Sequence, residues 1–132
     1  MKIKQTFDMT EISGQFHKLI GVTQVLVDED DFVYVQVKME EKHTNPIGIA
    51  HGGFLFTLCD VAAGARMAYI KQNSVTLDST INYYKPGKVG DTLTAKVIPR
   101  REGRHTSIYL VEVRNQDDVL LVDMMATMYH ID

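Results

Sequence analysis

A lone carboxylate, Asp60, follows a His51-Gly52-Gly53 turn within Asn45 to Ile70, a stretch that is otherwise apolar on nearly every side. Phe54, Leu55, Phe56, Leu58, Val61, Ala62, Ala63, Ala65 and Met67 predict a helix that begins near Gly53 and is buried on most sides. The first turn of a helix carries N–H groups with no intrahelical partner, and the summed peptide dipole puts about half a positive charge there. Glycine lets a ligand atom come close to that backbone. Such a turn suits an oxygen that becomes negative during acyl transfer, where one well-placed donor contributes ~3 kcal/mol in the transition state. A plain strand-to-helix turn would use the same residues. An ionised carboxylate in apolar surroundings costs several kcal/mol, so Asp60 must be paired, hydrogen-bonded or wetted by a cavity. It reads either as a general base or as a brace to a neighbouring strand.

Helix geometry constrains the first of these readings. Asp60 lies seven residues beyond Gly53, which is ~10 Å along a helix axis at the usual rise. An aspartate side chain cannot span that distance. A second copy with its helix antiparallel would bring its own Asp60 alongside the turn, so a joint site requires a two-fold dimer. Ala62, Ala63, Gly64 and Ala65 would allow a close helix approach, and they would equally allow tight packing on a sheet.

The elements that must hold this stretch follow from patterning. Gly21 to Met39 holds two β-branched runs on either side of an acidic turn, Asp28 to Asp31, and reads as a hairpin with a solvated tip. Four more β-type runs follow the apolar helix, "SVTLDSTINYYK", "DTLTAKVIPRRE", "RHTSIYLVEVRN" and "VLLVDMMATMYHI". Their separators, "KPGKVGD", "EG" and "NQDD", are turn chemistry and favour antiparallel neighbours. Ile12, Phe16, Leu19 and Ile20 stand at helical spacing and predict a short early helix. One long helix against about six antiparallel strands is an α+β architecture, with a curved sheet wrapped round the helix.

Composition excludes several function classes. The 132 residues suit one domain over 1–132, and 45% apolar with 23% charged residues is an ordinary globular balance. A formal net charge of −3 gives no general attraction to nucleic acid or an anionic membrane. The single cysteine, Cys59, rules out an internal disulfide and fits a reducing, cytoplasmic compartment. Buried free cysteines are usually inert packing, and no base stands at a helical neighbour of Cys59. The opening "MKIKQTFDMTEIS" has no apolar signal core, and Asp60 and Arg66 argue against a membrane span in the helix. His43, His51, His105 and His130 match no tight ligand pair, so no metal is expected.

"NPIGIAHGGFLFTLCDVAAG" resembles the hotdog-fold acyl-CoA thioesterases, in particular the phenylacetic-acid-degradation branch. The likeness continues through "SVTLDSTINYYKPGKVGDTLTAKV" and "REGRHTSIYLVEVRN" and covers most of the chain. It implies a hotdog fold, a homodimer often paired into a homotetramer, and thioester cleavage without metal or organic cofactor. It implies that the Gly52 N–H holds the thioester oxygen, that Asn45 orients the thioester or the water, and that Asp60 of the facing subunit is general base or nucleophile. Thr76 matches a water-positioning hydroxyl, and His51 is expected to shape the turn. Two residues depart from the family pattern: Pro46 after the Asn, and Cys59 where Ala is common.

For the coenzyme A phosphates the resemblance points to Arg104, Arg101, Gly103 and Lys85, for which a solvated strand end is the alternative. Phe54, Phe56, Tyr83 and the region of Phe16 are candidates for an aryl or medium-chain acyl pocket. A non-catalytic acyl-CoA binder and an enoyl-CoA hydratase are the competing functions on the same fold.

Overall fold

The computed structural model describes residues 1–132. Strand β1 (Ile3–Asp8) leads through a 3-10 turn (Met9–Glu11) and helix α1 (Phe16–Leu19) into β2 (Gln24–Asp28) and β3 (Val33–Lys38). A second 3-10 turn (Glu41–His43) precedes helix α2 (Gly52–Tyr69), and β4 (Ser74–Tyr83), β5 (Thr92–Glu102), β6 (Thr106–Arg114) and β7 (Leu120–His130) complete the chain. All seven strands form one sheet in the order β1-β2-β3-β5-β6-β7-β4, antiparallel throughout. No helix is long and apolar enough to cross a membrane.

The hairpin and β5, β6 and β7 lie where the patterning predicts them, because their inward rows are apolar; β4 also forms where predicted, although none of its residues is buried. Val33, Val35 and Val37 face the helix beside Leu93, Ala95 and Val97, then Val111 and Val113, then Val122, Met124 and Ala126. From α2, Leu55, Leu58, Cys59, Ala62, Ala63 and Met67 fill the other side of this core. Two expectations take a more definite form. The sheet has seven strands where the patterning predicts about six; the added one, "IKQTFD", pairs with β2 through its backbone while almost all its side chains stay exposed, which erases any alternation signal. The early helix is a single turn, preceded by Gly14 with φ +101°, and Phe16 and Leu19 are exposed.

The long helix is also less enclosed than its composition implies. Thr57, Asp60, Val61, Gly64 and Ala68 keep contact with solvent while Leu58, Cys59, Ala62, Ala63, Ala65 and Met67 between them are buried. Their spacing places them on one face, so the curled sheet leaves a strip of the helix uncovered. Gly64 is the unexpected member of that strip, because a mid-helix glycine costs about 0.5–1 kcal/mol relative to alanine. A Cβ built there would meet nothing within 4 Å. The fold itself therefore does not require this glycine.

The acidic hairpin tip is not simply solvated. Asp28 is buried and accepts hydrogen bonds from the Asp30 and Phe32 amides, at 2.9 Å each, and from the Tyr34 hydroxyl at 2.7 Å. Burial pushes its pKa up, but those donors outweigh burial and the net shift is downward. Asp31 receives the Tyr69 hydroxyl at 2.9 Å, and its carbonyl accepts from Arg66 at 2.9 Å. Arg66 in turn makes a bidentate pair with Glu102, at 3.0 and 2.9 Å, and Tyr109 donates to the same carboxylate at 2.6 Å. The C-terminal half of α2 is thus tied to the β2–β3 turn, β5 and β6 at once.

The Arg66 bond holds the Glu102 pKa below 4.5, although burial opposes the shift. A depressed folded-state pKa means that the carboxylate stabilises the fold above pH 4.5 and loses that effect as pH falls below it. The wild-type melting temperature is expected to drop faster than that of Glu102→Gln between about pH 5 and about pH 3. Parallel acid limbs in a thermal-shift series would contradict this.

Candidate active site

The His51-Gly52-Gly53 turn has a structural reason for each residue. His51 is the N-cap of α2, and its Nδ1 accepts from the Gly53 amide at 2.9 Å. A Cβ on Gly53 would stand 3.0 Å from that same nitrogen and displace the cap. The Tyr83 hydroxyl donates to the Gly52 carbonyl at 2.9 Å, and a Cβ on Gly52 would lie 3.3 Å from the hydroxyl oxygen. The helix starts at Gly52, one residue earlier than its pattern implies, and only one of the two glycine amides is available. The Gly53 N–H belongs to His51, while the Gly52 N–H has no acceptor within the chain.

His43 sets the approach to this turn, and nothing in its sequence context marks it. It is buried, its Nδ1 accepts from the Glu40 amide at 2.9 Å, and its Nε2–H donates to the Ile20 carbonyl at 2.7 Å. Its ring stacks on Phe54 at 4.0 Å, and its carbonyl accepts the His51 amide at 2.8 Å. Between the two histidines, Asn45 closes a loop: its Oδ1 accepts from Ile47 and Ile49 amides at 3.1 Å each. The amide Nδ2 of Asn45 is the group left without a partner in the chain, so this residue can offer a donor but not its oxygen.

Asp60 sits half-buried on the open strip of α2. The Thr76 hydroxyl donates to its Oδ1 at 2.8 Å. A β-bulge makes that contact possible. Thr76 pairs with Met128 and Asp78 with Thr127, so Leu77 is the extra residue and is pushed outward, 63% exposed. Oδ2 of Asp60 has no partner within the chain. The adjacent Cys59 is fully buried, and desolvation first, then the charges of Asp123 and Asp60, push its thiol up to about 12. It is therefore a packed thiol and not a nucleophile.

Beside Asp60 a cavity of about 740 Å³ opens between the uncovered strip of α2 and the N-terminal segment. Its wall includes Phe16, as expected, but not Phe54, Phe56 or Tyr83. Phe54 is instead core, beneath His43. The remaining candidates do not converge within one chain. Asp60 lies eight residues along α2 from Gly52, which is ~12 Å of helix. Arg101, Gly103 and Arg104 occupy the β5–β6 hairpin, where the Gly103 amide donates to Thr106 at 2.9 Å. Lys85 is held at the far end of the sheet, where its backbone N–H donates to the Leu121 carbonyl at 3.2 Å. Tyr129, beside Thr106, and Val122, beside Tyr83, mark those two ends on β7, a separation of ~23 Å at the usual strand rise.

Comparison with known proteins gives a consistent result. The model of the thioesterase superfamily matches residues 47–122. The acyl-coenzyme A thioesterase PaaI of Escherichia coli is 33% identical over 99 residues, 75% of this chain and 70% of that protein. The structure of the E. coli PaaI protein from the phenylacetic acid degradation operon has a TM-score of 0.83 and 28% identity, covering 94% of this chain and 88% of that one. A hypothetical thioesterase from Streptococcus pneumoniae, solved with coenzyme A, has a TM-score of 0.74 and 38% identity over 76% of this chain and 81% of its own. The streptococcal protein was also solved with alanine in place of an aspartate and in place of a threonine, sixteen positions apart. Asp60 and Thr76 have that same spacing. With the family model spanning more than half of its length and the long helix lying across a curved antiparallel sheet, this chain belongs to the thioesterase superfamily and has the hotdog fold.

Proposed function

We infer that this protein hydrolyses acyl-CoA thioesters to a carboxylic acid and free CoA, in a homodimer whose sites each combine Asn45 and Gly52 of one protomer with Asp60 and Thr76 of the other. The observation that carries the dimer is the fixed separation of Gly52 and Asp60 on one rigid helix. The edge strand β4 supports it. It pairs only with β7, and its free edge carries exposed Val75 and Leu77, a template for another strand. Antiparallel pairing of two β4 strands about a two-fold axis sets the Tyr83 end of one against the Ser74 end of the other. The Gly52 turn, bonded to Tyr83, then faces the Asp60–Thr76 pair of the second protomer. The same operation brings Lys85 toward the other protomer's Arg101 and Arg104, where cations suit the phosphates of CoA.

In this arrangement the thioester carbonyl oxygen accepts from the Gly52 N–H at the positive end of α2. The donor left free on Asn45 aligns the thioester or the water. Thr76 fixes one oxygen of Asp60, which leaves the other to take a proton from water as that water attacks the carbonyl carbon. The tetrahedral intermediate places its negative charge on the oxygen held by Gly52. Its collapse breaks the C–S bond, and the proton held by Asp60 passes to the departing CoA thiolate. Water's oxygen ends in the acid product and the carboxylate is regenerated.

Asp60→Asn is expected to lower kcat by ~100-fold or more against a panel of acyl-CoA thioesters while the fold is retained, the scale for loss of a general base. A folded variant with near-normal turnover removes Asp60 from the reaction, and a wild type that binds CoA esters but releases no thiol makes the protein a binder. Subunit mixing tests the shared site. Asp60→Asn mixed with Asn45→Ala is expected to regain up to about a quarter of wild-type activity, because half of randomly formed dimers hold one intact site of two. Asp60→Asn mixed with Thr76→Ala is expected to regain none, since both lesions fall in the same half-site. Equal recovery in the two mixtures contradicts the assignment. In a single turnover in oxygen-18 water, label is expected in the product acid and not in the Asp60 carboxylate; labelled Asp60 would show attack by the carboxylate itself.

A further inference from the structure

The cavity beside Asp60 and the glycine on its wall belong together. Its floor follows α2 from Asp60 through Val61, Gly64 and Ala68, a run of ~12 Å along the helix axis. Its roof is the N-terminal segment, where Phe7, Ile12 and Phe16 turn apolar atoms toward it. That volume, about 740 Å³, lies within the range of small-molecule sites. Gly64 stands one turn beyond Asp60, so a side chain there would project into the start of the cavity. The helix would be better off with alanine, and the space around the absent Cβ is empty. What a larger residue would obstruct is the cavity next to the carboxylate.

We propose that Gly64 is a specificity-determining residue: its missing side chain keeps open an acyl pocket that runs from Asp60 along α2 beneath the N-terminal segment, and this pocket admits medium-length alkyl chains and aryl-acetyl groups. The inference rests on the thioesterase reading of the same site. The acyl carbon lies at Asp60, so the carbon chain beyond it must leave along an apolar path, and this cavity is continuous with that carboxylate. Phe16 and Ile12, exposed for residues of their type, acquire a role as the outer wall of the pocket.

The test compares wild type, Gly64→Ala and Gly64→Leu. The first readout is the ratio of kcat/KM for decanoyl-CoA and for phenylacetyl-CoA to that for acetyl-CoA. The second is binding of a non-hydrolysable decanoyl thioether of CoA relative to CoA itself. Gly64→Leu is expected to lower both kcat/KM ratios by ~tenfold or more, since a filled apolar pocket rejects the longer group. It is also expected to abolish the tighter binding of the thioether. Gly64→Ala is expected to shift the ratios in the same direction with a raised melting temperature. Unchanged ratios and unchanged thioether binding in folded Gly64→Leu overturn the proposal. So does a dimer that dissociates with equal loss on every substrate, which would mean that a second copy covers this strip. A wild type that hydrolyses none of the thioesters overturns the hydrolase reading instead, and the thioether measurement then still decides whether Gly64 bounds an acyl pocket.

Discussion

A rigid helix holds two reactive groups apart. The Gly52 amide and the Asp60 carboxylate are on one α2 cylinder, separated by ~12 Å of axial rise. No rotamer closes that gap, and bending the helix would break its bonds to the core. Each group is individually well prepared: the amide is free because His51 satisfies its neighbour, and the carboxylate is steadied by Thr76 while one oxygen stays open. For both to act on one substrate, as proposed, a second copy must bring them together. In the dimer proposed above, a two-fold axis beside β4 would turn two half-sites into two whole ones.

The sheet leaves room for such an arrangement by being incomplete. It covers Leu58, Cys59, Ala62, Ala63 and Met67 fully but stops short of the strip that carries Asp60 and Gly64. An uncovered face on an otherwise enclosed helix loses burial, and it carries a carboxylate hydrogen-bonded to Thr76, next to the bulge at Leu77, and then a glycine facing empty space. The Arg66–Glu102–Tyr109 network anchors the far half of the helix, so the open strip does not loosen it. At the other end His43 couples Phe54, Glu40, Ile20 and His51, which sets the direction in which the Gly52 amide points.

Legibility in the sequence followed the range of the interactions. Strands β5 to β7 announce themselves because each buries an alternating row, β2 and β3 because their β-branched runs are buried almost throughout, and the helix start is readable because capping is a local event at His51. β1 is silent, since an edge strand bound through its backbone carries no pattern. Helical spacing at Ile12, Phe16, Leu19 and Ile20 marks the short helix α1, but Ile12 and Phe16 line a cavity, Leu19 is exposed and only Ile20 packs against the core. In the acidic turn, Asp28 is buried by partners that composition cannot supply. Asp60 and Thr76 stand out as chemistry, but their contact needs the bulge at Leu77, and His43 gives no sign of its four connections. Phe54 looks like pocket lining from its neighbourhood and is core, because the ring of His43 lies on it.

The central claim is that the thioester lies between a backbone donor of one protomer and a carboxylate of the other. A crystal structure with an inert ketone analogue of an acyl-CoA tests it most directly. The account predicts the ketone oxygen within about 3.2 Å of the Gly52 nitrogen of one chain, with the nearest Asp60 carboxylate, directly or through one water, contributed by the second. An analogue whose carbonyl meets Gly52 and Asp60 of the same chain, or neither, would contradict it.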